Sequence, residues 1–257
     1  MNHESPSTSI GSLLAIETSS EQGSVCLFFC DGNTEAISEA SPPGSKCSDW
    51  LLPAIDRVLQ RAALTLPQVD AIAFGAGPGA FTGVRTACAT AQALAYAHEK
   101  PLYAVDGLHA LALLAQTLAP EATQLDVLLD ARMGELYAAR FTTDDDTRVR
   151  PLIATRLISI AEAKSTFGGA TGPAQARFAT GSGAKLIDND VMNQRIIDDT
   201  SLIPIWAQGV AMLCLQLGEA ALVDPLLAEP LYVRNNVAQT EVERAASKLN
   251  SAVAVTC

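Results

Sequence analysis

A run of closely spaced glycines constrains the fold of this chain more than any other stretch. An apolar segment ends at Phe74 and leads into residues 75–83, where glycines alternate with other residues, before an alanine-rich segment at 82–99. Glycine permits the backbone conformations of a tight reversal. The pattern therefore predicts a strand, a close turn and the N-terminus of a helix. Backbone amides at such a junction can face an anion.

Two interpretations of this junction stay open: it reverses the chain, or it also holds a nucleotide phosphate. It does not contain the G-x-x-x-x-G-K-[ST] pattern of a phosphate loop, and Gly77 and Gly79 lack the third glycine of a dinucleotide-binding turn. In an ATPase, an acid that ends a strand would organise magnesium beside such a turn. The candidate nucleotide-site residues are Glu17, Thr18, Gly77, Gly79, Thr82 and Asp130.

Hydrophobic patterning predicts three strands and then alternating helices and strands in the first half of the chain. The strands are expected at 13–16, 24–30, 35–39, 69–74 and 102–105, and the helices at 48–64, 82–99 and 108–118. Asp31-Gly32 predicts a hairpin turn after the second strand. Ser48 or Asp49 is the expected N-cap of the first helix, which places Pro53 within its first four positions.

A similar order begins again near residue 125. Strands are expected at 125–130, 135–141, near 152 and at 177–180, with helices at 159–167 and 204–222 and an acidic turn at 144–146. The expected organisation is a disordered N-terminus (1–10), two domains (11–106 and 107–228) and a C-terminal tail (229–257). The repetition predicts an α/β protein in which two mixed sheets face each other across a cleft.

The composition narrows the function and the compartment. A formal net charge of −11 argues against independent binding of nucleic acid, so a partner would have to supply the positive surface for RNA. The six cysteines lack CxxC spacing, which is typical of reduced thiols in a cytosolic protein. Residues 1–10 lack the apolar region of a signal peptide, and no apolar run reaches membrane-spanning length. We expect a cytoplasmic protein without membrane association.

The histidines do not predict a metal site. His3 lies in the polar N-terminus, and His98 and His109 lack the i, i+4 spacing of a helical metal pair, so both are expected at the surface. No serine or cysteine stands in a G-x-S-x-G nucleophile context. We therefore expect no metal, no cofactor and no catalytic residue.

The alanine-rich helix at 82–99 predicts a contact with another protein. Its small side chains let a second helix approach to about 8 Å between axes. One face must pack against the sheet, and the other face, beside the preceding helix, is either ordinary surface or an interface. Tryptophan at Ala91 or Ala95 is expected to block pairing while the monomer stays folded. The candidate partner-binding residues are Trp50, Leu51, Ile55, Arg85, Cys88, Ala91, Gln92 and Ala95.

Five segments resemble those of one protein family and occur in the same order. They are Leu14-Ala15-Ile16-Glu17-Thr18-Ser19, Leu51-Leu52-Pro53, Gly77-Pro78-Gly79-Ala80-Phe81-Thr82-Gly83-Val84-Arg85, Asp130-Ala131-Arg132-Met133-Gly134-Glu135-Leu136-Tyr137 and Tyr232-Val233-Arg234-Asn235-Asn236-Val237. Over residues 13–237 the chain is similar to the TsaB (YeaZ) family, bacterial accessory proteins of tRNA threonylcarbamoyladenosine synthesis.

This resemblance implies two duplicated actin-like ATPase (RNase H-like) βββαβαβα domains and a non-catalytic scaffold. Its implied partners are the transferase TsaD, bound through the helices at 48–64 and 82–99, and TsaE, bound through the TsaB–TsaD pair. The same surface can support a homodimer, and tRNA is reached only through the complex. The alternative left open is an ATP-binding enzyme of the same superfamily that acts on its own.

Two departures qualify the resemblance. The related catalytic protein TsaD carries a metal-binding H-x-x-x-H motif, whereas Gly107 and Leu111 stand at the two histidine positions here and His109 is out of register. This difference argues against the catalytic relative and against a zinc-dependent glycoprotease. Many TsaB proteins have a histidine where this chain has Cys47, so no role is assigned to that side chain.

Overall fold

The fold consists of two mixed β-sheets with helices between and outside them. A computed structural model describes residues 10–30, 35–143, 148–168, 176–187 and 194–234. The strands are β1 (Ser12–Glu17), β2 (Ser24–Phe29), β3 (Ala36–Ala40), β4 (Ala71–Gly75), β5 (Leu102–Val105), β6 (Gln124–Arg132), β7 (Glu135–Thr143), β8 (Val149–Ser159), β9 (Arg177–Thr180), β10 (Arg195–Ile196) and β11 (Leu222–Val223). The α-helices are α1 (Cys47–Arg61), α2 (Phe81–Ala97), α3 (Gly107–Leu118), α4 (Ile160–Phe167) and α5 (Trp206–Leu217).

Both sheets begin in the same way. In the first, with strand order β11-β5-β4-β1-β2-β3, β1 pairs antiparallel with β2 and parallel with β4. In the second, with order β10-β9-β6-β7-β8, β6 pairs antiparallel with β7 and parallel with β9. This repetition confirms the predicted mixed α/β architecture. The later part of the second half is less regular, because β10 has only two residues and the short 3-10 helix Ala184–Leu186 lies between it and β9.

The central strands are buried on both faces. Leu14 and Ile16 point into one core with α1 and α2, whereas Leu13 and Ala15 join a second core with α3 and α5. Successive side chains of a strand alternate between faces, so β1 is a continuous apolar run. Full burial of a leucine-sized side chain stabilises the fold by about 1.5–3 kcal/mol, which makes this strand a main determinant of the stability of the first sheet.

Helix α5 and strand β11 return to the first sheet. Both lie within the predicted 107–228 domain, yet α5 packs against β1 and β2, and β11 pairs with β5. The segment Asp199–Ala221 is long and apolar enough, by length and composition, to cross a membrane, with a hydropathy of 1.4. Part of this segment packs in the core, where Trp206, Val210 and Leu213 are buried, although less than half of its most apolar stretch is buried. The apolar length therefore reflects a core helix.

The start of α1 differs from the prediction. The N-cap is Lys46, whose side chain makes no capping hydrogen bond, and Ser48 and Asp49 lie inside the first turn. Pro53 is consequently the seventh residue of the helix and not one of the first four. It cannot donate to the carbonyl of Asp49, but both residues are exposed, so water can solvate that carbonyl.

His109 also departs from expectation, because it is buried. Its Nε2 donates to the carbonyl of Val149 at 2.7 Å, and its ring stacks on Phe141 with centroids 4.8 Å apart. Burial lowers the pKa of this histidine. Several predictions lie outside the described residues, namely the turns at Asp31-Gly32 and 144–146, the disordered start at 1–9, His3 and the tail beyond residue 234.

Candidate functional site

A cleft of about 840 Å³ lies between the two halves of the protein. Its walls come from the β1–β2 turn, the glycine junction, the β6–β7 turn and the segment after β11. The lining side chains include charged, polar, apolar and aromatic groups, among them Ser20, Phe81, Asp130, Arg132, Tyr137, Lys185, Trp206 and Tyr232. The volume is that of a small-molecule pocket.

The β1–β2 turn packs closely against the glycine junction, although Gly79 and Ala80 still line the cleft. The amide of Ala80 donates to the carbonyl of Ser19 at 2.7 Å, and the hydroxyl of Thr18 donates to the carbonyl of Gly83 at 2.7 Å. A β-carbon on Gly79 would lie 2.4 Å from the Ser19 oxygen. The glycines therefore let the β1–β2 turn approach the start of α2, and the turn takes up the Ala80 amide that could otherwise face an anion.

Glu17 ends β1 but does not line the cleft. It is 1% exposed, and its Oε1 accepts a hydrogen bond from the amide of Ser19 at 2.5 Å. A β-carbon on Gly75 would lie 1.8 Å from its Oε2, so the carboxyl occupies the space that this glycine leaves. Burial, with a small contribution from the nearby Asp106 carboxyl, raises the pKa of Glu17 to about 7, although hydrogen bonds with Ser19 and Thr18 act in the opposite direction.

Asp130 is not paired with Glu17. It lines the cleft, where its carboxylate accepts hydrogen bonds from the amide and the guanidinium of Arg132, at 2.8 and 3.1 Å. Of the two candidate acids, only Asp130 therefore lines the cleft. Within the ranges that the structure describes, no group of three or more His, Cys, Asp or Glu could hold a metal ion.

The other predicted nucleotide-site residues differ in their access to the cleft. Gly79 lines the cleft, whereas Thr18 is buried beneath Gly83. Thr82 is the second residue of α2 and lies on its exposed side. Cys47 is half-buried, and burial raises its pKa despite a hydrogen bond with Thr18.

Most of the predicted partner-binding residues belong to the protein's own core. The structure corrects the prediction for six of the eight, which are buried between the helices and the first sheet: Trp50, Leu51, Ile55, Cys88, Ala91 and Ala95. The apolar positions of α1 and α2 face the sheet, as expected for helices that cover one. The side of α2 that faces solvent instead carries Ala89, Ala93 and Ala97. Sequence alone could not assign the two sides, because alanine occurs on both.

The remaining two candidates contact a segment that we name the strap, residues 224–234. Gln92 Nε2 donates to the carbonyls of Pro225 and Ala228, at 2.9 and 3.0 Å. Arg85 places its guanidinium 3.3 Å from the ring centroid of Phe81 and 5.1 Å from that of Tyr232. Both side chains therefore hold the chain's own C-terminal region against α2.

The strap then crosses to the second sheet. The amide of Leu231 donates to the carbonyl of Ala76 at 2.7 Å, beside the glycine junction. Arg234 Nη2 donates to the carbonyl of Ala131 at 3.0 Å and to Glu135 at 2.6 Å, both at the β6–β7 turn. The Tyr-Val-Arg sequence of the tail was the only sequence signal for this bridge, and its contacts could not be predicted.

Comparison with known proteins identifies the class of protein to which this fold and site belong. The model of the TsaD family, described as tRNA N6-adenosine threonylcarbamoyltransferase, matches residues 44–248. The protein thus belongs to the TsaD-related class, and its mixed α/β fold with two sheets agrees with the architecture that the sequence predicted.

Relatives that align over most of the chain define its family within this class. "tRNA threonylcarbamoyladenosine biosynthesis protein TsaB" of Escherichia coli is 31% identical over 235 residues, covering 88% of this chain and 96% of that protein. The solved structure of YeaZ from Pseudomonas aeruginosa superposes with a TM-score of 0.71 at 32% identity, covering 87% of this chain and all of that one. A Methylorubrum populi transferase is 52% identical, but only over 23% of this chain and 17% of its own length. The chain belongs to the TsaB (YeaZ) family.

Proposed function

We propose that this protein is a cytoplasmic, non-catalytic scaffold subunit of the complex that makes tRNA threonylcarbamoyladenosine. In this role it binds and activates the transferase TsaD and acts together with TsaE. Its net charge of −11 makes it a poor ligand for RNA on its own, so tRNA would be held by the partner. The family relationship supports the pathway, and the geometry below supports the scaffold role.

The observation that carries this proposal is the close packing of the β1–β2 turn on the glycine junction. The Ser19 carbonyl already accepts the hydrogen bond of the Ala80 amide, and the backbone of Thr18 lies against Gly83. The Ala80 amide is therefore not free to bind a phosphate, as a backbone amide at a helix N-terminus otherwise can. The buried, unpaired Glu17 oxygen also lies away from the cleft, where it cannot organise a magnesium ion.

The outward faces of α1 and α2 are the surface best suited to TsaD. Ala89, Ala93 and Ala97 recur every four residues on the exposed side of α2, which permits close approach of a partner helix. On α1, Leu52 is 54% exposed and offers an apolar contact. This surface replaces the buried one predicted from the sequence, and it lies on the same two helices. A homodimer could use the same faces.

Depletion of the protein in its own organism tests the proposed role. Modified-nucleoside levels in total tRNA are measured by mass spectrometry, and threonylcarbamoyladenosine should fall while other modifications stay constant. Gel filtration of the purified protein with and without TsaD should show a shared peak, and TsaE should join only when TsaD is present. Unchanged threonylcarbamoyladenosine after depletion would contradict the proposal.

A second candidate function, an ATP-binding enzyme acting alone, is favoured by the volume of the cleft. A cavity of about 840 Å³ is large enough for a nucleotide. Its cations are already paired, however: Arg132 with Glu21 and Asp130, and Lys185 with Asp198 and Asp199. Calorimetric titration of the isolated protein with ATP and magnesium separates the two functions, because only the second predicts heat of binding and turnover.

A further inference from the structure

The strap carries two adjacent leucines whose side chains are largely exposed to solvent. Leu226 is 68% and Leu227 is 75% exposed, more than any other leucine among the described residues. A single exposed leucine is ordinary, but two neighbours on one turn form a small apolar projection. We call residues 224–227 the leucine turn.

Hydrogen bonds define the shape of this turn. The amide of Leu227 donates to the carbonyl of Asp224 and the amide of Leu226 donates to its carboxylate, both at 2.9 Å. Gln92 on α2 donates to the carbonyls of Pro225 and Ala228, on either side of the leucine pair. The Ala228 side chain is buried in the first core. These contacts order the leucine turn before binding, so it loses little conformational entropy when a partner covers it.

The surroundings of the leucine turn indicate the chemistry of its partner. Tyr96 follows Gln92 by one helical turn and is 65% exposed, which extends the apolar surface along α2. Asp224 and Glu229 flank the two leucines and are both exposed. An apolar projection with acidic neighbours is complementary to an apolar pocket with a basic rim.

We propose that the leucine turn inserts into such a pocket on the catalytic partner, as a second contact beside the α1–α2 surface. This inference rests on the proposed function. The partner that holds tRNA must carry clustered lysines and arginines, which gives it the basic surface that the turn requires. A second copy of this chain is a poorer occupant, because it carries the same net charge of −11.

The test compares three forms of the full-length protein for binding to purified TsaD from the same organism by calorimetry. The double variant Leu226→Ser, Leu227→Ser removes the projection, and Leu152→Ser is the control, because Leu152 is 61% exposed but lies on β8 of the other sheet. We expect affinity to fall about tenfold or more for the double variant and to stay unchanged for the control. Thermal unfolding should be unchanged in both, and the single variant Leu226→Gln serves if the double variant does not fold.

The acidic rim has its own readout. Glu229→Gln should weaken the dependence of TsaD affinity on salt concentration, because one charge of the complementary pair is removed. Equal affinity of the double variant and the unaltered protein would overturn the inference while leaving the proposed function intact. A change in self-association without a change in TsaD affinity would also overturn it, in favour of a second copy. If the unaltered protein does not bind TsaD, the proposed function itself fails.

Discussion

A β-carbon on Gly83 would lie 1.8 Å from the main-chain oxygen of Thr18. The two residues also share a hydrogen bond, from the hydroxyl of Thr18 to the carbonyl of Gly83 at 2.7 Å. The β1–β2 turn and the first turn of α2 therefore form one packed unit, across 65 residues of sequence. The orientation of α2, and so of its outward face, depends on this contact.

Gly83→Ala should destabilise the protein strongly, because the added β-carbon would clash with backbone atoms, which cannot move aside as a flexible side chain can. We expect a loss of about 3 kcal/mol or more in the free energy of unfolding, measured by urea denaturation. Gly44→Ala is the matched control. Gly44 has a positive φ of 75°, but a β-carbon added there would meet nothing within 4 Å, so only backbone strain of about 1 kcal/mol is expected. Equal losses in the two variants would show that the contact with Thr18 is not limiting.

The buried carboxyl of Glu17 should make stability fall as pH rises. Burial raises its pKa from 4.5 to about 7 in the folded protein. Below the unfolded value the carboxyl is protonated in both states, and its stabilising contribution is complete. As pH rises toward the folded value, only the unfolded chain releases the proton, and the contribution is lost. The difference corresponds to about 3 kcal/mol.

Glu17→Gln removes this dependence. The variant should match the unaltered protein near pH 4.5 and become more stable by about 2–3 kcal/mol near pH 8. Burial also raises the pKa of Asp106. Because Asp106 is present in both proteins, its effect on stability cancels, and the difference between the two proteins reports on Glu17. Denaturant titrations at several pH values measure the effect. Parallel stability curves for the two proteins would contradict a buried, neutral Glu17.

The second sheet contains a buried ion pair between Asp126 and Arg140. Arg140 Nε donates to Asp126 at 2.7 Å, and the aspartate is fully buried. Asp126→Ala should cost about 3–5 kcal/mol in unfolding free energy, because it leaves the guanidinium buried without its counter-charge. The control is Glu121→Ala, which breaks the exposed pair with Arg195 and should cost less than about 1 kcal/mol. Similar losses would argue that the buried pair is not special.

Sequence patterns predicted the strands and helices well where the burial of side chains along the chain is regular. The two-sided burial of β1 makes its apolar run unmistakable, and β9 was placed at 177–180, as the structure has it. The duplicated strand order also followed from local patterns. The start of α1 was wrong because Pro53 resembles a first-turn residue, although its exposed position tolerates it within the helix.

The site depended on contacts that no local pattern records. Gln92 bonds to Ala228 across 136 residues of sequence, so the strap could not be assigned to α2 in advance. Alanine on both sides of α2 concealed which side packs on the sheet. The burial of Glu17 follows from space left by Gly75, and neither residue alone indicates it.

Arg234 should control the attachment of the strap to the second sheet. Arg234→Ala removes the bonds to Ala131 and Glu135 and should cost about 1 kcal/mol, since both charged groups are only partly buried. Hydrogen exchange of the Leu231 amide, which bonds to Ala76, should speed up several-fold. Arg132→Ala is the control, because Arg132 also lies at the β6–β7 turn but pairs with Glu21 and Asp130, which are both outside the strap. Unchanged exchange at Leu231 would mean that the strap is held without Arg234.

Tryptophan substitutions on α2 distinguish its two sides. Ala93 faces solvent, whereas Ala91 is fully buried against the first sheet. Ala93→Trp should leave the unfolding free energy within about 0.5 kcal/mol and abolish co-elution with TsaD, because the bulky ring prevents close helix approach. Ala91→Trp should instead cost more than about 3 kcal/mol, since the core has no room for the added atoms.

The two variants are compared by circular dichroism melting and by gel filtration with TsaD. Loss of co-elution in Ala93→Trp with an unchanged melting temperature would place the partner on the outward face of α2. A folded Ala93→Trp protein that still co-elutes with TsaD would remove that face from the interface. A stable Ala91→Trp protein would contradict the buried position of that side chain. It would also contradict the conclusion that the partner-binding residues predicted from the sequence lie in the core.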